Sequence, residues 1–305
     1  MKNIINYYYN LNIIEVYEIM NGYYFNINNN SYIFTIYNRP LNECSSIYNL
    51  YNELLKRKIF TNDIVLNKNN QIITMVNNVP YVLLKDNTIN KRINMNDILY
   101  LQNNSINIYN DKLLFRNNWI TLWEIKIDYY ESRLKEIDNK YPLLSNTLDY
   151  YIGLGENAIS YLVNNNIKVN DLVLSHKRIK MDDSSFEFYN PFNYILDSRV
   201  RDFSEYIKSL FFKDMITFEN FEGYLNISNF NKDEYILLIS RLLYPSYYFD
   251  LFDDIVNNNE DENIIKNVIN KNNDYILFLK NTFYYIIYKK RINIPIIEWI
   301  TYYQN

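Results

Sequence analysis

Cysteine and histidine are almost absent from this chain of 305 residues, which has one of each. A single cysteine, Cys44, excludes an internal disulfide and fits a reducing compartment. The one histidine, His176, lies far from it in the sequence, so we expect Cys44 to be an inert, partly buried thiol rather than a nucleophile. The lack of a second histidine or cysteine also excludes the usual ligand sets of a zinc site.

The chain also lacks an excess of basic residues and any long apolar run. Its formal net charge is −4 and its pI is about 5.3, so the overall charge does not favour nucleic acid as a partner. The first residues, MKNIINYYYNLN, have no continuous apolar core of a signal peptide. No apolar run approaches the ~20 residues of a membrane helix. We therefore expect synthesis in the cytoplasm and no membrane partner.

Glycine is scarce as well, and the N-terminal part holds only Gly22, in an Asn21-Gly22 step. One glycine favours an ordinary hairpin turn over a phosphate-binding loop. Residues 1–91 are predicted to form a small β-sheet lobe with one helix, Leu41–Lys58, and a turn at Asn77-Asn78. The predicted strands are Glu15–Ile19, Tyr23–Ile27, Tyr32–Tyr37, Ile72–Val76 and Tyr81–Leu84.

After Lys91 the apolar spacing becomes helical, which predicts a second, mainly helical lobe over residues 92–305 and an α+β fold class. Gly155 and Ala158 lie on one apolar stripe and predict a close helix crossing. The predicted helices are 119–137, 142–162, 199–212, 233–244, 247–256, 262–269, 274–290 and 295–303, with strands at 172–174, 186–189 and 194–196.

The segment 172–212 concentrates the residues that carry chemistry. It contains His176 after an apolar strand, the doublet Asp182-Asp183, and then Asp197 before a predicted helix that opens with Arg201-Asp202. Asp202 is placed to interact with the free N–H groups at the start of that helix. Asp182-Asp183 is either a solvated turn or part of a cation site.

The order of these features resembles the protein-kinase-like superfamily in its aminoglycoside/choline phosphotransferase branch, which implies a two-lobed fold. A closer resemblance is to spore-coat proteins of the YutH and CotS type. The segments that carry it are LWEIKIDYYE (122–131), DYYIGLGENAISYL (149–162), YILDSRVRDFSEYIK (194–208) and YILLISRLLYPSYYFD (235–250).

The resemblance implies positions for the groups of phosphoryl transfer, which needs a lysine on the phosphates, acidic or amide ligands on magnesium and an Asp near the attacking hydroxyl. The strand lysine of the branch falls on Thr35, which carries no charge. Its catalytic His-Gly-Asp falls on His176-Lys177-Arg178, and arginine cannot accept a proton. Its loop asparagine falls on Asp183.

The remaining positions carry open assignments. The metal-binding Asp of the branch has two candidates, Asn190 and Asp197. The resemblance implies that His176 packs and hydrogen-bonds within the fold, and we expect Arg201 and Asp202 to fix the loop to the helix beneath it. We therefore assign no catalytic residue, and treat Asp183 and Asp197 as candidate metal ligands.

Three functional hypotheses follow. The favoured one is a catalytically degenerate, pseudokinase-like scaffold of the spore coat whose partners are other spore-coat proteins and which needs no cofactor. The alternative is an atypical small-molecule phosphotransferase that uses ATP and Mg²⁺ held by Asp183 and Asp197. The third is an anion sensor using Lys177, Arg178 and Lys180, although a solvated charged turn is the favoured explanation of those cations.

Overall fold

Asparagine turns shape the N-terminal sheet of the computed structural model, which describes residues 1–88, 92–137, 140–169 and 171–303. Asn28-Asn29 (φ 49° and 64°) and Asn77-Asn78 (φ 49° and 65°) have the positive φ pairs of type I′ turns. The elements of this part are α1 (Lys2–Tyr9), β1 (Tyr17–Ile19), β2 (Gly22–Ile27), β3 (Asn30–Ile36), α2 (Cys44–Lys56), β4 (Asp63–Val65), β5 (Thr74–Val76), β6 (Val79–Asp86) and α3 (Met95–Asn104).

The strands form one antiparallel sheet in the order β1-β2-β3-β6-β4, with β5 paired to β6 as well. The five predicted strands and the helix α2 are confirmed, with bounds shifted by a few residues. The short strand β4 and the helices α1 and α3 were not predicted. Both α1 and the sheet contribute to one core, in which Ile5 of α1 packs with Phe25, Phe34 and Leu83.

Cys44 lies at the start of α2 and is buried. Burial raises the pKa of the Cys44 thiol above its ordinary value, which disfavours the nucleophilic thiolate. Both observations agree with an inert thiol.

The remainder of the chain is mainly helical, as predicted. Pro142 occupies the first position of the long helix α5, where its missing N–H costs nothing. The elements are α4 (Trp119–Ile137), α5 (Pro142–Asn165), β7 (Val173–His176), α6 (Ser185–Phe188), β8 (Tyr194–Asp197), α7 (Val200–Phe212), α8 (Phe218–Ser228), α9 (Lys232–Leu243), α10 (Ser246–Asn258), α11 (Lys266–Asn270), α12 (Asn272–Tyr284) and α13 (Glu298–Thr301).

Two of the sequence predictions in this part are wrong. The strand predicted at 186–189 is the helical turn α6, because the Ser184 side chain accepts a hydrogen bond from the Glu187 amide and caps a helix start. The helix predicted at 295–303 is confined to the four residues of α13, since Pro295 to Ile297 precede it in non-helical backbone. Helix α8 was not predicted.

Gly155 confirms the predicted close helix contact. A Cβ atom built on Gly155 of α5 would lie 2.6 Å from Cδ1 of Ile127 on α4. The two helices therefore approach more closely at this point than an alanine would permit without movement of Ile127. Ala158, one turn later, is fully buried.

The chain divides into two compact units. The sheet unit comprises Met1–Phe115 and Leu172–Asp197, and the helical unit comprises Arg116–Asp171 and Ser198–Asn305. The β7–β8 pair thus belongs with the sheet unit. Lys91, where the sequence analysis ends the first lobe, lies outside the described residues, and that boundary stays a prediction. Within the described residues, no helix is long and apolar enough to cross a bilayer.

Candidate functional site

The candidate site is built on the hairpin of β7 and β8 and on the loop 177–193 that joins them. The strands pair antiparallel, from Val173 opposite Asp197 to His176 opposite Tyr194. All eight strand residues are buried. The apolar residues of each strand do not alternate with exposed ones, as in a strand covered on both faces, and the polar residues Ser175, His176 and Asp197 are buried with them. The two paired, buried strands therefore fix both ends of the loop.

His176 holds the loop through its imidazole ring. Its Nε2 donates a hydrogen bond to the carbonyl oxygen of Phe188 (2.8 Å), which places the proton on Nε2. The ring stacks on Phe188 with centroids 4.5 Å apart and meets Tyr194 edge-on at 5.3 Å. The side chain is 2% exposed. In this position the ring packs and hydrogen-bonds inside the sheet unit.

Arg39 is a second anchor of the loop, and it was not predicted from the sequence. Its Nη1 donates to the carbonyl oxygens of Phe192 (3.2 Å) and Tyr194 (2.5 Å). Its Nε donates to Glu43 (2.7 Å), and the two side chains form a buried ion pair. The one available signal was an Arg and a Glu spaced four apart ahead of a helix. That spacing did not reveal contacts more than 150 residues away in the chain.

Thr61 and Asn62 hold the middle of the same loop. The Thr61 hydroxyl and the Asn62 amide N–H both donate to the Tyr189 carbonyl, at 3.0 and 2.9 Å. The Asn62 side chain donates to the carbonyl of Phe186 at 3.0 Å. The carbonyl oxygens of Phe186 and Tyr189 thus accept hydrogen bonds from protein donors, which hold the backbone of the loop in place.

Asp183 is engaged in a turn of its own loop. Its Oδ2 accepts a hydrogen bond from the Lys180 amide (2.7 Å), and its own amide donates to the Lys180 carbonyl (3.1 Å). Burial raises the pKa of Asp183 above its ordinary value, against the smaller opposing effects of that hydrogen bond and of His176. Asp182 beside it is exposed, as are the cations Lys177, Arg178 and Lys180.

Thr35 lies in the middle of the sheet, opposite Val82 of β6 and Gly22 of β2. Its hydroxyl donates to the carbonyl of Asn21 at 3.1 Å. Gly22 fits there because its backbone lies close to β3: an added Cβ would be 2.5 Å from the carbonyl oxygen of Phe34. At this position of the sheet the side chain is neutral and already bonded.

The two candidates for the metal-binding aspartate have different surroundings. Asp197 is fully buried at the end of β8. Asn190 is also buried, and its side-chain oxygen accepts from the amide of Phe192 at 3.0 Å, which starts a helical turn at Pro191. Across the residues that the structure describes, no group of three or more His, Cys, Asp or Glu side chains could hold a metal ion.

Arg201 and Asp202 belong to the first turn of α7 in the helical unit. The Arg201 amide donates to the Ser198 carbonyl at 3.0 Å. Asp202 is 2% exposed, where its charge faces the positive end of the helix dipole. Arg199, just before the helix, pairs with Glu234 through two hydrogen bonds of 2.5 and 2.6 Å. No local sequence pattern predicted that pair.

The fold is that of the kinase-like phosphotransferases. An aminoglycoside phosphotransferase from Alicyclobacillus acidocaldarius superposes with a TM-score of 0.70 at 10% identity, over 96% of each chain. Choline kinase LicA from Streptococcus pneumoniae superposes with a TM-score of 0.53 at 12% identity, over 92% of this chain and 97% of that one. Identities this low show a shared fold and nothing about activity.

The family described as "Spore coat putative kinase YutH" matches residues 2–282, and this chain belongs to that family. The endospore coat-associated protein YutH of Bacillus subtilis (strain 168) is 27% identical over 180 residues, or 52% of this chain and 51% of that protein. The match thus spans about half the length of the relative. The predicted resemblance is confirmed.

Proposed function

We propose that this chain is a catalytically degenerate member of the kinase-like fold that serves as a scaffold in the spore coat, where it binds other coat proteins. Two findings support the coat context: membership of the spore-coat family and the relative described as endospore coat-associated. The chain would be synthesised in the cytoplasm and reach the coat by binding to proteins already assembled there.

The observation that carries the degenerate character is the state of Asp183. In the resemblance it stands at a metal-ligand position, yet its carboxylate accepts from the amide of Lys180 within its own turn. That hydrogen bond engages Oδ2 of Asp183 in the protein's own turn, which favours a structural role for this carboxylate over binding of a magnesium nucleotide.

The other positions of the resemblance add to this argument. Phosphoryl transfer depends on cations that offset the phosphate charge and on a base near the acceptor hydroxyl. Thr35 supplies a hydroxyl that is already bonded to Asn21, and Arg178 supplies a cation where the branch has its carboxylate. The resemblance thus implies that both the strand lysine and the loop aspartate are lost, and catalysis is harder to retain without both groups than without one.

The direct test is calorimetric titration of the purified chain with ATP in the presence of Mg²⁺, followed by an assay for transfer to a panel of hydroxyl and amine acceptors. We expect no turnover above the buffer background. An active aminoglycoside phosphotransferase, assayed in parallel, confirms that the conditions support transfer. Turnover that disappears in Asp197→Asn would overturn the proposal.

The burial of Asp197 favours one alternative, an atypical phosphotransferase in which Asp183 and Asp197 hold magnesium. Asp197 is a fully buried carboxylate, and carboxylate oxygens are ligands that magnesium binds. Under this alternative, Asp183→Asn and Asp197→Asn would each abolish nucleotide hydrolysis, while Asp182→Asn, the matched exposed neighbour, would keep it. Equal activity in all three variants would rule the alternative out.

The coat role is tested separately, in a spore-forming host. A fluorescent fusion of the chain is expected to co-localise with the coat and to be extracted with coat proteins from purified spores. A fusion that stays in the mother-cell cytoplasm throughout sporulation would refute the coat role and leave the question of catalysis untouched.

A further inference from the structure

Strand β1 is an open edge of the N-terminal sheet. Within the residues that the structure describes it pairs with β2 alone, since the sheet order begins at β1. All three of its residues are exposed, with Tyr17 at 53% and Ile19 at 40%. Ile14, in the segment before β1, and Met20, in the turn after it, are 82% and 91% exposed. Four large apolar side chains are thus exposed within seven residues of the chain, and such groupings mark candidate interaction surfaces.

The register of the hairpin shows which backbone groups of β1 face outward. Ile19 and Gly22 flank the two-residue turn, so they form the hydrogen-bonded pair that closes it. The next pair, Glu18 and Tyr23, is then not hydrogen-bonded. The N–H and C=O of Glu18 therefore point away from β2, and neither bonds to another backbone group within the described parts of the chain.

The edge is short, with three residues, and carries the charged Glu18, which are two of the features that limit strand addition. It lacks the lysine, proline or bulge with which proteins also protect edges. The stretch from Glu15 to Met20 has no lysine and no proline, and the pairing of β1 with β2 is regular, residue for residue. A free donor and acceptor beside exposed apolar side chains can accept an incoming strand.

Charge indicates which strand would fit. Between Asn3 and Asn38 the chain has no lysine or arginine, and its only charged side chains are Glu15 and Glu18. A basic residue opposite Glu18 would form a favourable cross-strand pair. A second copy of the chain is a poor occupant, because antiparallel pairing centred on Glu18 would place two glutamates directly opposite each other.

We infer that β1 is a docking edge for an extended, lysine- or arginine-bearing segment of another protein, which adds to the sheet as a further strand. The inference rests on the proposed scaffold role, because it names the surface through which a coat partner would bind. Binding in solution is measured without spores or nucleotide, so its failure is distinguishable from failure of the proposed function.

The probe is a peptide of about six residues, the usual length of a strand, in which lysine alternates with valine. Its controls are a peptide with glutamate in place of lysine and a lysine peptide N-methylated at alternate residues. Binding is followed by chemical-shift changes of the β1 amides, which detect a Kd up to about 1 mM. Hydrogen exchange of the Glu18 amide reports the new hydrogen bond.

We expect the lysine peptide to bind and to slow exchange at Glu18, and the two control peptides not to bind. Glu18→Lys should weaken binding roughly tenfold, because it turns an attractive pair into a repulsive one. Glu260→Lys, which makes the same charge change at an exposed site in the helical unit, should leave binding unchanged.

Three outcomes would overturn the inference. No detectable binding of the lysine peptide would exclude the edge as a basic-strand site. Equal binding by the N-methylated peptide would mean that binding does not use strand pairing, and equal binding by Glu18→Lys would mean that the peptide's charge is recognised elsewhere. Concentration-dependent dimers in sedimentation that disappear in Glu18→Lys would identify a second copy as the occupant instead.

Discussion

Replacement of Arg39 by methionine removes the buried cation that fixes the β7–β8 loop. The change leaves Glu43 in the interior without its counter-ion, as well as the carbonyls of Phe192 and Tyr194 without their donor. Methionine preserves most of the side-chain volume, so the effect is electrostatic rather than a cavity. Arg39 is 7% exposed and Glu43 6%, so water cannot readily replace the lost contacts.

The expected loss in the free energy of unfolding is about 3–5 kcal/mol, the usual cost of breaking a buried ion pair from one side. That is a large share of the roughly 5–15 kcal/mol that stabilises a typical domain. The double variant Arg39→Met with Glu43→Met should lose about 2 kcal/mol less than the sum of the single variants, because no charge is then left unpaired.

Urea unfolding measures both quantities, and hydrogen exchange should show faster exchange at residues 186–194 in the single variant. Arg57→Met is the matched control: Arg57 also donates to two carbonyls, those of Ile106 (3.2 Å) and Asn107 (3.4 Å), but is exposed. We expect Arg57→Met to cost less than about 1 kcal/mol. An equally small cost for Arg39→Met would refute the reasoning.

Three further predictions concern packing, buried charge and pH. Gly22→Ala should lower the free energy of unfolding by about 1–3 kcal/mol, because its Cβ would meet the Phe34 carbonyl at 2.5 Å. Gly223→Ala, in a helix with open space around it, should raise that free energy by about 0.5–1 kcal/mol. Equal changes for the two alanine variants in urea unfolding would contradict the predicted clash at Gly22. In the helical unit, Lys208 donates to Glu205 at 2.9 Å and is 1% exposed, so Glu205→Gln should cost about 3 kcal/mol in urea unfolding. Lys208→Met added to that variant should recover part of the loss, and no recovery would count against an unpaired buried charge. Burial raises the pKa of Tyr9, Tyr51 and Tyr235 to about 12. Their contribution to stability is therefore complete below about pH 10 and is lost as the pH rises toward about 12, and a flat stability profile over that range would exclude it.

The charge network around Glu205 also has an acid limit. Burial alone would raise the pKa of Glu205, but Lys208, Arg241 and hydrogen bonds together lower it below its ordinary value. Because the folded pKa is the lower one, this stability is present above the unfolded pKa and is lost as pH falls through the folded pKa.

Local patterns in the sequence were enough to predict most helices and strands. Apolar residues three and four apart predicted α4 and α5, and the pair Asn77-Asn78 predicted the turn between β5 and β6. These patterns gave the wrong element where one segment carries signals for both a strand and a helix. The aromatic run at 186–189 has strand propensity, yet the Ser184 cap makes it helical.

The candidate site was predicted in part. The segment around His176 was found by its resemblance to phosphotransferases, and it does form the hairpin and loop. The residues that fix this loop, Arg39, Thr61 and Asn62, lie more than 120 residues earlier in the chain. Nothing local to them signals those partners, so sequence patterns of one strand or helix could not have found them.

The sequence by itself determined the family and the α+β class, and the placing of Thr35 and Arg178 at phosphotransfer positions stays a prediction from the resemblance. Those properties belong to local residue order, which can be read along the chain. Tertiary structure alone decided that Asp183 closes its own turn, that Arg39 is buried against the loop, and that the backbone of Glu18 faces outward. The Arg39 contacts join segments more than 150 residues apart, and the other two depend on the backbone geometry of a turn and of a strand pair, which form only when the chain folds.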